Sequence, residues 1–212
     1  LEFAELGDLA DLLLHPRWKI GDDVLARTLF HQLIDGLEFL HSKGVAHMDI
    51  KLENLFLGFD IRLKIADFDL SYIEGDSQYK AKGTKNYRAP EVKHGVCTDF
   101  KAADIYSAGI CLFALMTRSF PYLEDKLVEG EDLFELLLNQ SERFWEVQRN
   151  VLEMEFEEDF KDLFWSMVNP NPDERISFEK IKSHPWYKKP TYSQKELFDQ
   201  LLDMGLLSSN SH

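Results

Sequence analysis

His47-Met48-Asp49-Ile50-Lys51-Leu52-Glu53-Asn54 sets a carboxylate, an ammonium and an amide within six positions, and Asp67-Phe68-Asp69 follows thirteen residues after Asn54. The combination suits phosphoryl transfer. An acid can orient an attacking hydroxyl, a lysine can meet phosphate charge, and an Asn/Asp pair offers hard oxygens to magnesium. The flanks place the set: Val45-Ala46 before it and Leu55-Phe56-Leu57 after it read as short strands, as does Leu63-Lys64-Ile65 beyond a turn at Gly58 to Asp60. The octet therefore lies on a loop between short strands, with Asp67 just past a strand end.

Upstream, Leu25, Leu29, Leu33, Leu37 and Leu40 recur at helical spacing between Asp22 and Ser42, widened by Phe30 and Ile34. That stripe predicts a long core helix, with Gly44 beyond its end. Leu1 to Ala4 reads as an extended segment entering a turn at Gly7-Asp8, and Asp8 caps a short helix carrying Leu9, Leu12 and Leu13.

Downstream, residues 70–101 are polar and broken by Gly75, Gly83, Pro90 and Gly95, which predicts a long functional loop. Asp104 begins a helix that is apolar nearly all round through Met116, hence buried. Further helices are expected at 131–139, 142–152, 157–168 and 177–183, and an amphipathic stretch from Lys195 to Met204 precedes a Ser/Asn tail expected to fray. The fold class is mainly α (α+β overall), a helical bundle whose short strands carry the polar loops.

At 212 residues the chain can bury a proper core, and its net charge of -14 argues against binding a nucleic-acid backbone. The same charge favours a basic peptide partner, a solvated acidic face being the plainer alternative. Two cysteines, Cys97 and Cys111, make no disulfide framework and fit a reducing, cytoplasmic setting, the nucleus left open. Cys111 reads as core. The apolar run Ile105 to Met116 is shorter than the roughly 18 residues of a membrane span, so none is expected. Residue 1 is leucine and no signal peptide opens the sequence, which reads as a fragment.

These motifs, in this order, resemble the catalytic domain of eukaryotic protein kinases of the serine/threonine type. The resemblance runs from Leu1 to about Tyr187 and covers only the larger, C-terminal lobe, beginning at the hinge. It implies a partial kinase domain at 1–189 and a C-terminal extension at 190–212. It further implies an ATP- and Mg2+-dependent enzyme, monomeric, acting on a protein substrate. Asp49 would be the catalytic-loop aspartate that accepts or orients the proton of the substrate hydroxyl, and Lys51 would neutralise the transferring phosphoryl. Asn54 and Asp67 would hold magnesium, and Thr84 would bond to Asp49 and Lys51. Glu2 and Ala4 would belong to the hinge that pairs with adenine, Asp8 would lie near the ribose, and Phe56 would form the adenine floor. Glu53, like Asp8, lies where basophilic kinases hold arginines of their targets. Glu91 would form a buried ion pair with Arg175, and Asp104 would brace the catalytic loop. The alternative reading is a pseudokinase or adaptor that keeps the lobe as an interaction surface.

Three departures qualify the resemblance. Met48 replaces the arginine that receives an activation-loop phosphate, and no Ser or Thr lies between Lys80 and Gly83, so activity independent of such phosphorylation is expected. Asp69 replaces the glycine after Asp-Phe, which puts the loop's usual switching in doubt. The sequence also holds no glycine-rich phosphate loop, strand lysine or partner glutamate, so this chain by itself is expected to be inactive.

Overall fold

The computed structural model describes residues 4–124 and 126–207. Leu1 to Phe3, including Glu2 of the expected hinge, and the tail from residue 208 lie outside the described residues.

The chain starts with a short helix α1 (Leu9–Leu13) and a long α2 (Asp23–Ser42). Strand β1 (Val45–Ala46), a 3-10 turn at Leu52–Asn54, β2 (Leu55–Leu57), β3 (Leu63–Ile65) and β4 (Tyr72–Ile73) follow. The rest is helical: α3 (Pro90–Lys93), α4 (Phe100–Thr117), α5 (Leu133–Leu138), α6 (Glu142–Leu152), α7 (Glu158–Met167), α8 (Phe178–Ser183) and α9 (Gln194–Asp203). Two antiparallel ribbons form. One pairs β2 with β3 in the register Leu55↔Ile65 and Leu57↔Leu63, and the other pairs β1 with β4 through Val45↔Ile73 and Ala46↔Tyr72.

Helix starts follow the capping chemistry of their sequences. Asp8 accepts from the Asp11 N–H at 2.9 Å and Asp22 from the Leu25 N–H at 3.0 Å, each satisfying one of the donors a helix leaves unpaired at its beginning. Helix α4 begins earlier than expected, at Phe100 rather than Asp104, because Asp99 caps it through the Ala102 N–H. Residues 70–101 are likewise not one structureless loop, since β4 and α3 form within them.

Helix α4 is the axis of the core, with α2 and α7 packed against it. Gly109 lets α7 approach closely: a Cβ there would sit 3.0 Å from both Met167 Cβ and Val168 Cγ1. Phe113 on the same helix packs among Phe144, Trp145, Phe156 and Phe164, and burying each such ring is worth roughly 1.5–3 kcal/mol. With 18 residues, α4 is longer than its apolar run and reaches membrane-spanning length, but 89% of it is buried inside the protein, as a core helix should be.

The segment after Tyr187 packs along α2 and the stretch before it. Arg27 Nε donates to the Pro190 carbonyl (3.0 Å), the Tyr192 N–H to Thr28 Oγ1 (2.9 Å) and Arg17 Nη1 to the Asp203 carbonyl (2.8 Å). Helix α9 buries Leu197 and Leu201 and is stopped at its start by a reciprocal Ser193–Glu196 capping box.

Candidate active site

Asp104, one turn into α4, organises the loop that carries the quoted octet. Its carboxylate accepts from the backbone N–H of His47 (2.7 Å), the N–H of Met48 (2.7 Å) and His41 Nε2 at the end of α2 (2.8 Å). All of these groups are buried, so each donor would be costly to leave unpaired. Met48 takes a positive φ of 65°, which turns the chain sharply into Asp49. His47 fixes the other side. Its Nδ1 accepts the Asp49 N–H at 3.2 Å, so the proton sits on Nε2, which donates to the Ala66 carbonyl at 2.9 Å. Its ring packs edge-on to Phe68 at 4.9 Å.

Four donors converge on the Asp49 carboxylate. Oδ1 accepts from Thr84 Oγ1 (2.6 Å) and the Thr84 N–H (3.1 Å), while Oδ2 accepts from Lys51 Nζ (2.7 Å) and Asn54 Nδ2 (3.2 Å). Lys51 Nζ also donates to Thr84 Oγ1 at 3.1 Å, closing a triangle. Burial alone would raise the pKa of Asp49, but the Lys51 ammonium and the Thr84 donors outweigh it and hold the carboxyl below its ordinary value. At neutral pH it is an anion in a nearly closed site.

Asn54 and Asp67 flank the end of the β2–β3 ladder. The Ala66 N–H donates to the Asn54 carbonyl at 2.9 Å, which brings the start of Asp67 beside the 3-10 turn. The Asn54 amide nitrogen is committed to Asp49, leaving its Oδ1 as the end suited to a cation. Asp67 is exposed at φ 65°, and its carboxylate accepts from the Asp69 N–H at 3.4 Å. Two hard protein oxygens suit magnesium, which keeps several waters and takes phosphate oxygens rather than an all-protein cage. Among the described residues no group of three or more His, Cys, Asp or Glu is placed to hold a metal.

The chain near Asp8 runs beside this ribbon. Asp8 bridges Phe56, and Leu6 and Gly7 exchange backbone bonds with Leu57, so the residues expected around a nucleotide's ring and ribose are neighbours. Ala4 contributes its carbonyl to the turn, accepting from the Gly7 N–H at 3.3 Å. Glu53 is exposed and accepts from Tyr87 Oη at 3.0 Å, so it is not a carboxylate without a partner.

A family model of the protein kinase domain matches residues 1–187. The chain belongs to the protein kinase domain family. It is 35% identical over 194 residues to CBL-interacting protein kinase 26 of Oryza sativa subsp. japonica, covering 89% of this chain and 36% of that protein. With CBL-interacting protein kinase 8 of the same plant it shares 36% identity over 203 residues, 93% of this chain and 42% of the relative. A probable serine/threonine-protein kinase of Dictyostelium discoideum is 34% identical over 191 residues, 88% of this chain and 21% of the relative. The chain thus spans less than half the length of each of these relatives.

Within this kinase domain residues 67–91 lie against the loop that carries the octet. Gly83 is where they touch: a Cβ there would sit 3.2 Å from the Met48 carbonyl oxygen and 3.1 Å from Arg88 Cβ. At the far end Glu91 binds Arg175 through both carboxylate oxygens (2.7 and 3.1 Å). The remaining Arg175 donors reach the carbonyls of Ala102 and Asn169, and its guanidinium lies over Tyr106. The kinase domain also departs from expectation in one backbone detail. Positive φ falls on Asp67, whereas Asp69, which stands at the usual glycine, is outside that region.

Contacts that sequence reasoning did not supply are those of His41, His47 and Tyr87. His47 heads the octet, yet nothing in its spacing marks the Ala66 carbonyl as its partner. Tyr87 carries no periodicity or spacing signal of its own, and its hydroxyl accepts the Leu52 N–H (3.4 Å) and donates to Glu53 (3.0 Å).

Proposed function

We propose that this domain transfers the γ-phosphate of ATP to serine or threonine hydroxyls of protein substrates, with residues 1–189 forming the hinge and larger lobe of the kinase fold. The observation that carries the reading is the joint hold of Lys51 and Thr84 on the Asp49 carboxylate. Asp49, ionised at neutral pH, accepts the hydrogen bond of the incoming hydroxyl and aims its oxygen at phosphorus. A carboxylate offers about four lone-pair positions, and all four are filled here, so the substrate replaces one donor. The longest contact, from Asn54 Nδ2 at 3.2 Å, gives way most readily, while the same nitrogen stays bonded to the Asp49 carbonyl at 2.9 Å and keeps the amide in place. Lys51, a point charge with three donors, sits beside the path of the transferring group and offsets its charge.

Asn54 Oδ1 and the Asp67 carboxylate would hold magnesium, which supplies neutralising charge to the phosphates when bound. Ala4 and Asp8, with Glu2, would meet adenine and ribose from the hinge side and Phe56 the adenine face. Glu53 and Asp8, with a net charge of -14, favour a basic substrate segment. The 212 residues contain no glycine-rich loop or strand lysine for the triphosphate, so this chain by itself is read as lacking activity.

The test is Asp49→Asn in the full natural protein with a Ser/Thr peptide and ATP. Phosphotransfer should fall by several orders of magnitude, since asparagine cannot accept the hydroxyl proton in the same way. Unchanged turnover would refute the assignment.

A further inference from the structure

Residues 70–84 must keep one shape for Thr84 to rest on Asp49, and Met48, buried at 5% exposure, offers no charge to anchor them. A three-ring cluster occupies the same region. Tyr79 lies edge-on to Tyr72 at 5.2 Å and edge-on to Phe100 at 5.0 Å, and Tyr72 and Phe100 are 4.3 Å apart. Edge-to-face rings at such distances attract beyond the area they bury. The three rings belong to different parts of the fold. Tyr72 stands on β4, opposite Ala46 and so next to the catalytic loop, and Phe100 opens the helix that carries Asp104.

The Tyr79 hydroxyl donates to the Leu70 carbonyl at 2.6 Å, closing a loop within the segment. Tyr72 Oη accepts the Gly75 N–H at 3.2 Å, and Ser71 Oγ donates to the His47 carbonyl at 3.3 Å. Burial, with Asp104 and Cys97 nearby, pushes the Tyr79 phenol up to about 12, so it stays a neutral donor across physiological pH. The residues on either side, Asp76 to Gln78 and Lys80, are exposed, which makes Tyr79 the inward anchor of an otherwise solvated stretch.

We propose that Tyr79 is a positioning residue: its ring, wedged between Tyr72 and Phe100, locks the activation segment so that Thr84 reaches Asp49 without a phosphate. The consequence for activity rests on the phosphotransfer reading above; the lock itself does not.

Trypsin cleavage after Lys80 and Lys82, followed by mass spectrometry on the 212-residue chain, reports how often the segment opens. Tyr79→Ala removes two ring contacts and one hydrogen bond and should speed cleavage at these sites about tenfold or more. Tyr79→Phe keeps the ring and should retain much of the protection. Amide exchange should rise from Leu70 to Thr84 and stay unchanged in α2 and α4. If Tyr79→Ala loosens α2 and α4 as well, Phe100→Leu serves instead and should speed cleavage at the same sites several-fold. No acceleration in the variant that keeps its core overturns the proposal. In the full natural protein Tyr79→Ala should lower kcat/KM while Tyr79→Phe restores it. Faster cleavage in a protein whose wild type transfers no phosphate would retain the lock and reject the functional reading.

Discussion

Thr84 donates twice to one oxygen of Asp49, through its hydroxyl at 2.6 Å and its backbone N–H at 3.1 Å. With Lys51 on the other oxygen, these donors hold the Asp49 pKa below its unfolded value despite burial. A depressed carboxyl stabilises the fold above the unfolded pKa, and that stability is lost as pH falls through the folded one. Thr84→Val keeps the shape and removes one donor. It should be less stable than the wild type at neutral pH, with the gap closing in acid. Chemical unfolding at a series of pH values measures this, and a gap constant into the acid range would contradict it.

The Glu91–Arg175 pair is buried and made through both carboxylate oxygens. Glu91→Ala leaves the guanidinium charge without its partner and should cost about 3–5 kcal/mol in urea unfolding. A loss under about 1 kcal/mol, the size of a surface pair, would mean that the Ala102 and Asn169 carbonyls and Tyr106 suffice.

Gly83→Ala would set a methyl against the Met48 carbonyl oxygen, a backbone atom that cannot swing aside. The segment is then expected to give by a few tenths of an ångström, lengthening the Thr84–Asp49 contacts. The expected signature is an upward move of the Asp49 carboxyl pKa by NMR titration, toward the Thr84→Val value; an unmoved titration would count against the contact.

Asp69→Gly tests the backbone directly. Because Asp69 is not in the left-handed region, glycine relieves nothing and only adds freedom to the unfolded chain. Stability should fall by about 0.5–1 kcal/mol. A gain in thermal midpoint would indicate that the segment populates a second, glycine-like conformation.

Glu153 ends α6 in the left-handed region (φ 50°, ψ 41°), exposed, at the negative end of the helix dipole. Glu153→Gly removes both penalties and should raise stability by about 1 kcal/mol. Differential scanning calorimetry reads this as a higher midpoint.

Elements with full periodicity and a side-chain cap were legible from sequence. Helices α2, α6 and α8 start behind Asp22, Ser141 and Ser177, at or within a residue of their expected positions. The start of α4 was not, because its apolar run begins several residues inside the helix that Asp99 caps. Tyr72-Ile73 is too short to carry a period, and it is a strand only because Val45-Ala46 lies alongside. At the site, residue types were legible while their partners depend on approaches between distant segments. The resemblance pointed to Thr84 beside Asp49, but the rule that glycine marks positive φ pointed to Asp69, and the turn was made at Asp67 instead.

The three bonds accepted by Asp104 have a consequence for the order of assembly. Its donors, His41, His47 and Met48, lie 56 to 63 residues earlier in the chain. Contacts this distant form only after a long loop has closed, which makes the octet a late structure even though its residues are contiguous. During synthesis a chain emerging through residue 99 already holds Asp49, Lys51, Asn54, Asp67 and Thr84, yet not the acceptor that bends Met48 into place. The loop around Asp49 is therefore written early and folded late, and its geometry waits for the central helix.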